Sequence, residues 1–150
     1  MTTVACNREM MVSDSRVSIA EKGFAYPAIK IIKVKGALVG AAGDGGDCTR
    51  FLNWAKEGFK EKDQPKWKTP QYSEDEIVGL VLKDDGIYIW TQGGPEAEKV
   101  EANFFAIGSG GKAARAANLC GLGLQESVEV ACQVDNVFSG LPLQVLCLKD

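Results

Sequence analysis

The chain contains no histidine. Its absence excludes Ser-His-Asp and Cys-His nucleophile pairs and histidine-ligated metal centres. A hydrolase built from this sequence must draw its base from a carboxylate, a lysine or a free amino terminus. Long apolar runs are missing too, and none approaches the roughly 20 residues that a membrane helix needs. The run after Met1 is short and is broken by Asn7 and Arg8. That is not the pattern of a signal peptide, so the expected location is the cytoplasm. No basic stripe marks a nucleic-acid surface: charged residues make up 25% of the chain, the net charge is -3, and the charges are spread rather than clustered. The five cysteines, Cys6, Cys48, Cys120, Cys132 and Cys147, are odd in number and include no Cys-x-x-Cys pair. Buried reduced thiols are expected from them rather than a disulfide framework or a zinc site, and no metal or cofactor is called for.

What the sequence does have is length enough for a core. With 150 residues and 45% hydrophobic content, one domain spanning 1–150 is expected. "TTVACN" and "MMVSDS" read as strands joined at Arg8-Glu9, and "KIIKV" and "ALVGAAG" as strands joined at Lys35-Gly36. "DGGDCTRFLNWAKEGFKEK" has apolar residues near a helical period at Phe51, Leu52, Trp54, Ala55 and Phe59, with Asp47 as the expected N-cap. A Pro-broken loop follows over 64–72. "EIVGLVLKDDGIYIWTQGG" is the clearest hairpin, with Asp85-Gly86 in its turn, and its first strand is apolar on both faces. "NFFAIGSGG" is a strand entering a glycine-rich turn, "KAARAANLC" a short helix stopped by Gly121, and "QESVEVACQVDNVF" a second helix with Leu124, Val128, Ala131 and Phe138 near one face. "LPLQVLCLKD" supplies a last strand. Strands buried on both sides, with helices grouped in two blocks, predict an α+β arrangement of stacked sheets covered by helices.

Three short stretches carry possible chemistry. "GSGGKA", Gly108 to Ala113, satisfies the degenerate G-x-G-x-x-G/A pattern, so a nucleotide-binding domain has to be weighed. A Rossmann unit needs a parallel strand after the helix with an acidic residue near its end, and here Glu126 and Glu129 fall inside another helical pattern. A P-loop fails as well, because Ala106 holds its first glycine position and Ala113 follows Lys112 where Ser or Thr is required. "GAAGDGGD", Gly40 to Asp47, is a strand-to-helix turn whose N–H groups suit an oxyanion, though tight turns alone also demand glycine. "SDSR", Ser13 to Arg16, is a charged strand end.

Taken in order, "TTV" at the start, "DSRVS" from Asp14, Lys30 opening "KIIKV", Gly43 closing "ALVGAAG" and "AIGSGGKAARAA" from Ala106 resemble the proteasome family of N-terminal nucleophile (Ntn) hydrolases, especially HslV-type threonine peptidases. The resemblance covers nearly the whole chain. It implies a four-layer αββα sandwich of two antiparallel sheets between helices. It also implies that loss of Met1 makes Thr2 the first residue, whose hydroxyl is the nucleophile and whose α-amine is the base. On the same resemblance Lys30 lies near the nucleophile as a cation, Asp14 holds Lys30, Ser109 positions the α-amine, and the Gly43 N–H receives the oxyanion. The backbone of Ser18 and Gly43 would hold the substrate as an added strand, and Ala28, Ala41 and Gly45 would line the first side-chain pocket. The family often places Ser three residues after an Asp beneath the nucleophile. Here Asp135 is followed by Phe138 and then Ser139, one place further on.

The first hairpin, between Thr2 and Asp14, is about four residues shorter than is usual in the family. An even deletion of two per strand keeps every side chain on its face, because the strand period is two. The implied assembly is a homo-oligomeric ring that encloses its sites and acts on proteins and peptides, with an AAA+ unfoldase as partner for folded substrates. Neither nucleic acid nor membrane is expected as a partner. Beside the peptidase stand a catalytically silent relative that keeps the fold for structure or assembly and, more distantly, the nucleotide-binding domain.

Overall fold

The computed structural model describes residues 2–94 and 97–149. The chain opens with strands β1 (Val4–Cys6) and β2 (Met10–Ser13), joined by a turn in which the Asn7 side chain accepts the N–H groups of Glu9 and Met10, each at 2.8 Å. An Asn that caps its own turn lets the hairpin be this short. The pairing sets Val4 opposite Ser13 and Cys6 opposite Met11. Strands β3 (Arg16–Ile19) and β4 (Phe24–Pro27) form a separate two-stranded ribbon, followed by β5 (Ile31–Val34), β6 (Ala37–Ala42) and helix α1 (Gly45–Lys56). After a long loop come β7 (Val78–Lys83), β8 (Gly86–Thr91), β9 (Glu98–Val100) and β10 (Phe105–Ile107). Helices α2 (Gly111–Leu119) and α3 (Leu124–Val134) and strand β11 (Gln144–Cys147) complete the order.

Two sheets, ordered β10-β1-β2-β11 and β5-β6-β7-β8-β9, pack face to face. Strand alternation sorts the apolar residues into three layers of contact. Val4, Cys6 and Met11 from the first sheet meet Ile31, Leu38, Leu80, Leu82 and Ile87 from the second. Ala5, Val12 and Ala106 face the other way, onto Ala114, Val128 and Ala131 of α2 and α3. Val39, Ala41 and Val81 face Phe51, Leu52 and Trp54 of α1. β7 thus buries Leu80 and Leu82 on one face and Val81 on the other, which is why its sequence is apolar throughout. The result is the expected α+β sandwich of four layers. One helix covers the second sheet, and Trp67, Trp90 and Phe59 fill in beside Phe51 and Trp54 with ring centroids 5.0–6.4 Å apart.

Several local expectations need correction. The N-cap of α1 is Asp44, whose side chain accepts the Asp47 N–H at 3.1 Å, while Asp47 sits in the first turn with a fully buried carboxylate. The β7–β8 turn is Asp84-Asp85, and Gly86 already pairs with Lys83. The β3–β4 ribbon and β9 were not expected as paired strands. Phe138 lies beyond the end of α3. All five cysteines are free thiols, but only Cys6 and Cys132 are buried; Cys48 is half-buried, and Cys120 and Cys147 are exposed. Among the described residues no helix is long and apolar enough to cross a membrane, and no group of three or more His, Cys, Asp or Glu is placed to hold a metal ion.

Candidate active site

β1 and β2 bring the amino-terminal residues onto Asp14. Extending the pairing one step beyond Val4 sets Thr3 opposite Asp14, and the Asp14 N–H donates to the Thr3 carbonyl at 3.1 Å. The Asp14 carboxylate is fully buried and crowded with donors. Its Oδ1 accepts the Thr2 hydroxyl at 2.7 Å, the Thr3 N–H at 3.0 Å and Lys30 Nζ at 3.0 Å. Its Oδ2 accepts the N–H groups of Arg16 and Gly140, each at 3.0 Å, and Lys30 Nζ at 3.1 Å. Thr2 and Lys30 therefore meet at one carboxylate oxygen. Lys30 Nζ also donates to the Arg16 carbonyl.

Lys30 is only 7% exposed, and burial pushes its ammonium below the ordinary lysine value, against the opposing pull of the Asp14 charge. β11 fixes its backbone: the Gln144 side chain accepts the Lys30 N–H at 3.0 Å and donates to the Ala28 carbonyl.

On the other side of Thr2, its N–H donates to Ser109 Oγ at 3.1 Å. Ser109 Oγ donates to Asp135 Oδ2 at 2.6 Å, and Ser139 Oγ donates to the same oxygen at 2.7 Å. The one-residue offset of Ser139 is absorbed after α3, where the Asp135 carbonyl accepts both the Phe138 and the Ser139 N–H. "GSGG" turns out to be a close-approach loop. A Cβ at Gly108, which has φ +94°, would lie 2.0 Å from the Thr2 carbonyl oxygen, and one at Gly110 would lie 1.9 Å from Thr3 Oγ1. Gly108 and Gly110 are required by the close approach of Thr2 and Thr3, just before β1. Every strand pairing is antiparallel, so the parallel crossover of a nucleotide-binding unit is absent among the described residues.

Thr2 and Lys30 open into a cleft of about 360 Å³, within the range of ligand sites. Ser18, Ala28, Ala41, Gly43 and Gly45 all line it, so the residues expected around a substrate come together. Ser109 and Asp135 are not part of its lining and stand behind Thr2. Gly43 has φ +127°, and a Cβ there would come within 2.6 Å of the Glu76 carbonyl oxygen, so the site demands glycine on steric grounds. Tyr26, Asp44, Cys48 and Thr49 also line the cleft and were not foreseen. Cys48 and Thr49 follow Gly45 by about one helical turn, which places them on the same side of α1. Burial pushes the Cys48 thiol up to about 12, so it is a neutral wall of the cleft.

No protein-family model and no curated protein matches the chain by sequence. Solved structures match by shape along almost its whole length. Eukaryotic HslV from Trypanosoma brucei superposes with a TM-score of 0.68 at 22% identity, covering 97% of this chain and 98% of that one. Thiobacillus denitrificans BPH gives 0.70 at 19% identity, covering 97% and 96%. The fold is that of the proteasome-like Ntn hydrolases. A helical assembly of the Anbu complex from Pseudomonas aeruginosa extends the likeness, at a TM-score of 0.64 and 13% identity over 97% of this chain and 80% of that one. Within this Ntn fold the short first hairpin keeps Thr2 and Asp14 in hydrogen-bond contact. Met1, whose removal the resemblance calls for, lies outside the described residues.

Proposed function

We propose that the protein is a threonine-type endopeptidase in which Thr2, freed of Met1, is both nucleophile and base. The observation that carries the reading is the convergence of the Thr2 hydroxyl and the Lys30 ammonium on Asp14 Oδ1, with the Thr2 nitrogen on Ser109, at the head of a substrate-sized cleft. Thr2 Oγ attacks the scissile carbonyl carbon, and its proton passes to the α-amine, directly or through one water. The reference pKa of an α-amine, about 7.7–8.0, leaves a usable neutral fraction near neutral pH. The buried Lys30 charge favours the deprotonated forms of both groups. The carbonyl electron pair moves onto oxygen, which the Gly43 N–H receives. Collapse expels the amine product, which takes the proton from the α-ammonium, and leaves an ester on Thr2. Water, with the α-amine again as base, hydrolyses that ester. Ser18 and Gly43 hold the peptide by backbone hydrogen bonds, and Ala28, Ala41 and Gly45 leave room for a side chain.

The working form is a homo-oligomeric ring, with an AAA+ unfoldase as partner for folded substrates. Support comes from the fold shared with HslV and with the assembled Anbu complex. The chemistry is tested by cleavage of short fluorogenic peptides. Thr2→Ala keeps the amine and loses the nucleophile, so hydrolysis is abolished. Thr2→Ser keeps both and retains part of the rate, having lost only the methyl that restricts the rotamer. A Thr2→Ala protein as fast as wild type contradicts the assignment.

A further inference from the structure

We propose that Thr3, the second threonine of the opening pair, is a positioning residue that ties the two carboxylate networks of the site together. This rests on the peptidase reading above. Thr2 and Thr3 are neighbours on β1's line, so their side chains point to opposite faces of the first sheet. The Thr2 side chain faces Asp14, between the sheets, and the Thr3 side chain faces the helix layer, where its Oγ1 lies 2.8 Å from Ser139 Oγ. Both Thr3 and Ser139 are buried, at 0% and 1% exposure.

The direction of each hydrogen bond follows from proton counting, because a hydroxyl has one proton to give. Ser139 gives its proton to Asp135 Oδ2, so Thr3 gives its own to Ser139. Ser109 gives its proton to the same Asp135 oxygen at 2.6 Å, in preference to the Thr2 carbonyl at 3.4 Å, and so is left to accept from the Thr2 N–H. The chain of donors runs from Thr3 through Ser139 to Asp135, and from the Thr2 nitrogen through Ser109 to the same atom. Meanwhile the Thr3 N–H donates to Asp14 Oδ1, the oxygen that holds the nucleophile and Lys30. Thr3 thus sets the nucleophile side through its backbone and the amine side through its side chain. Gly110 keeps room for that hydroxyl, since a Cβ there would lie 1.9 Å from it.

Loss of the Thr3 hydroxyl frees Ser139 to rotate. Asp135 and Ser109 then lose a fixed orientation, and the Thr2 amine loses its alignment with the hydroxyl proton it must take. The cleft is untouched, because Thr3, Ser109, Asp135 and Ser139 do not line it.

The test compares Thr3→Val, Thr3→Ser and Gly110→Ala with wild type and Thr2→Ala in peptide hydrolysis, with thermal unfolding of each protein alongside. Thr3→Val keeps the volume and drops the hydroxyl. Its kcat is expected to fall on the order of 10-fold to 100-fold, the usual cost of misaligned reacting groups, with KM unchanged. Thr3→Ser restores most of kcat, and Gly110→Ala reproduces the loss by displacing the hydroxyl sterically. A Thr3→Val protein with wild-type kcat overturns the proposal even if its unfolding midpoint drops, and so does an equal loss in Thr3→Ser. If Thr2→Ala is as active as wild type, or wild type cleaves nothing, the peptidase reading falls and the role of Thr3 in it falls with it.

Discussion

Lys30 and Asp14 face each other where water is almost excluded, and the cost of that arrangement is measurable. Burying an ion pair is costly in desolvation, and removing one partner costs more, because the other is left buried and uncompensated. In Lys30→Met the volume is nearly kept, and Asp14 retains the Thr2 hydroxyl and the N–H groups of Thr3, Arg16 and Gly140. Those four donors put the expected loss near the low end for a broken buried pair, about 3 kcal/mol in urea unfolding. A loss below about 1 kcal/mol is the behaviour of an exposed pair and contradicts this reading. The pH dependence has a definite sign. Burial lowers the Lys30 pKa in the folded state, so as pH rises the folded protein releases this proton before the unfolded chain does. The unfolded chain then binds more protons, and stability from this group rises with pH in the window below the ordinary lysine value of about 10.4. The stability gap between wild type and Lys30→Met therefore widens through that window, and a gap that narrows contradicts it.

At the scale of elements, α1 and the loop after it are held by one residue. The buried Asp47 carboxylate accepts the Lys68 N–H at 2.9 Å, the Thr69 N–H at 3.0 Å and Arg50 Nη1 at 2.8 Å. Its burial opposes ionisation, but these donors outweigh it and hold the carboxyl below its ordinary value. A depressed carboxylate stabilises the fold above its unfolded pKa, about 3.9, and that contribution is lost as pH falls through the lower folded value. Asp47→Ala leaves two backbone N–H groups unsatisfied, and about 1–3 kcal/mol of stability is expected to go with them, with the 64–72 loop opening first in hydrogen exchange. Unchanged protection at Lys68 and Thr69 contradicts this. The same segment shows where the sequence was hard to read. "GDGGD" offers two aspartates for one cap, and only the structure shows that Asp44 caps while Asp47 reaches across to the loop. β7 and β8 were legible because long apolar strands flank an Asp-rich turn. β4 was not, since all four of its residues are exposed and no alternation of burial marks it. In the site, the order of Thr2, Asp14, Lys30, Gly43 and Ser109 was readable from local motifs. Ser139 was legible only as a serine one place beyond the spacing of the resemblance, and Thr3 was hidden by standing next to a more conspicuous threonine on the opposite face of the sheet.

At the scale of the whole molecule, two sheets clamp the site between them: Thr2 and Asp14 flank β1 and β2 of the first, and Lys30 and Gly43 stand just before β5 and just after β6 of the second. The β3–β4 ribbon beside the cleft exposes Phe24 and Tyr26, and Ile29 just beyond it is 74% exposed. A two-stranded ribbon is marginal alone, and Phe24, which lies outside the cleft that Tyr26 and Ile29 line, is the part of this exposed apolar surface left for an assembly contact. Light scattering is expected to give a multiple of the 16.1 kDa chain mass at micromolar concentration, and a pure monomer contradicts the ring. The central claim is that Thr2 is a free amino-terminal nucleophile, and covalent capture tests it most directly. A peptide β-lactone is opened by the attacking hydroxyl to an ester, adding its full mass with no leaving group. Mass spectrometry of the amino-terminal fragment ending at Arg8 is predicted to show a chain starting at Thr2, with one equivalent of lactone on that residue and none in Thr2→Ala. A fragment that retains Met1 in every molecule, or a Thr2 that stays unmodified while another residue is acylated, contradicts the account.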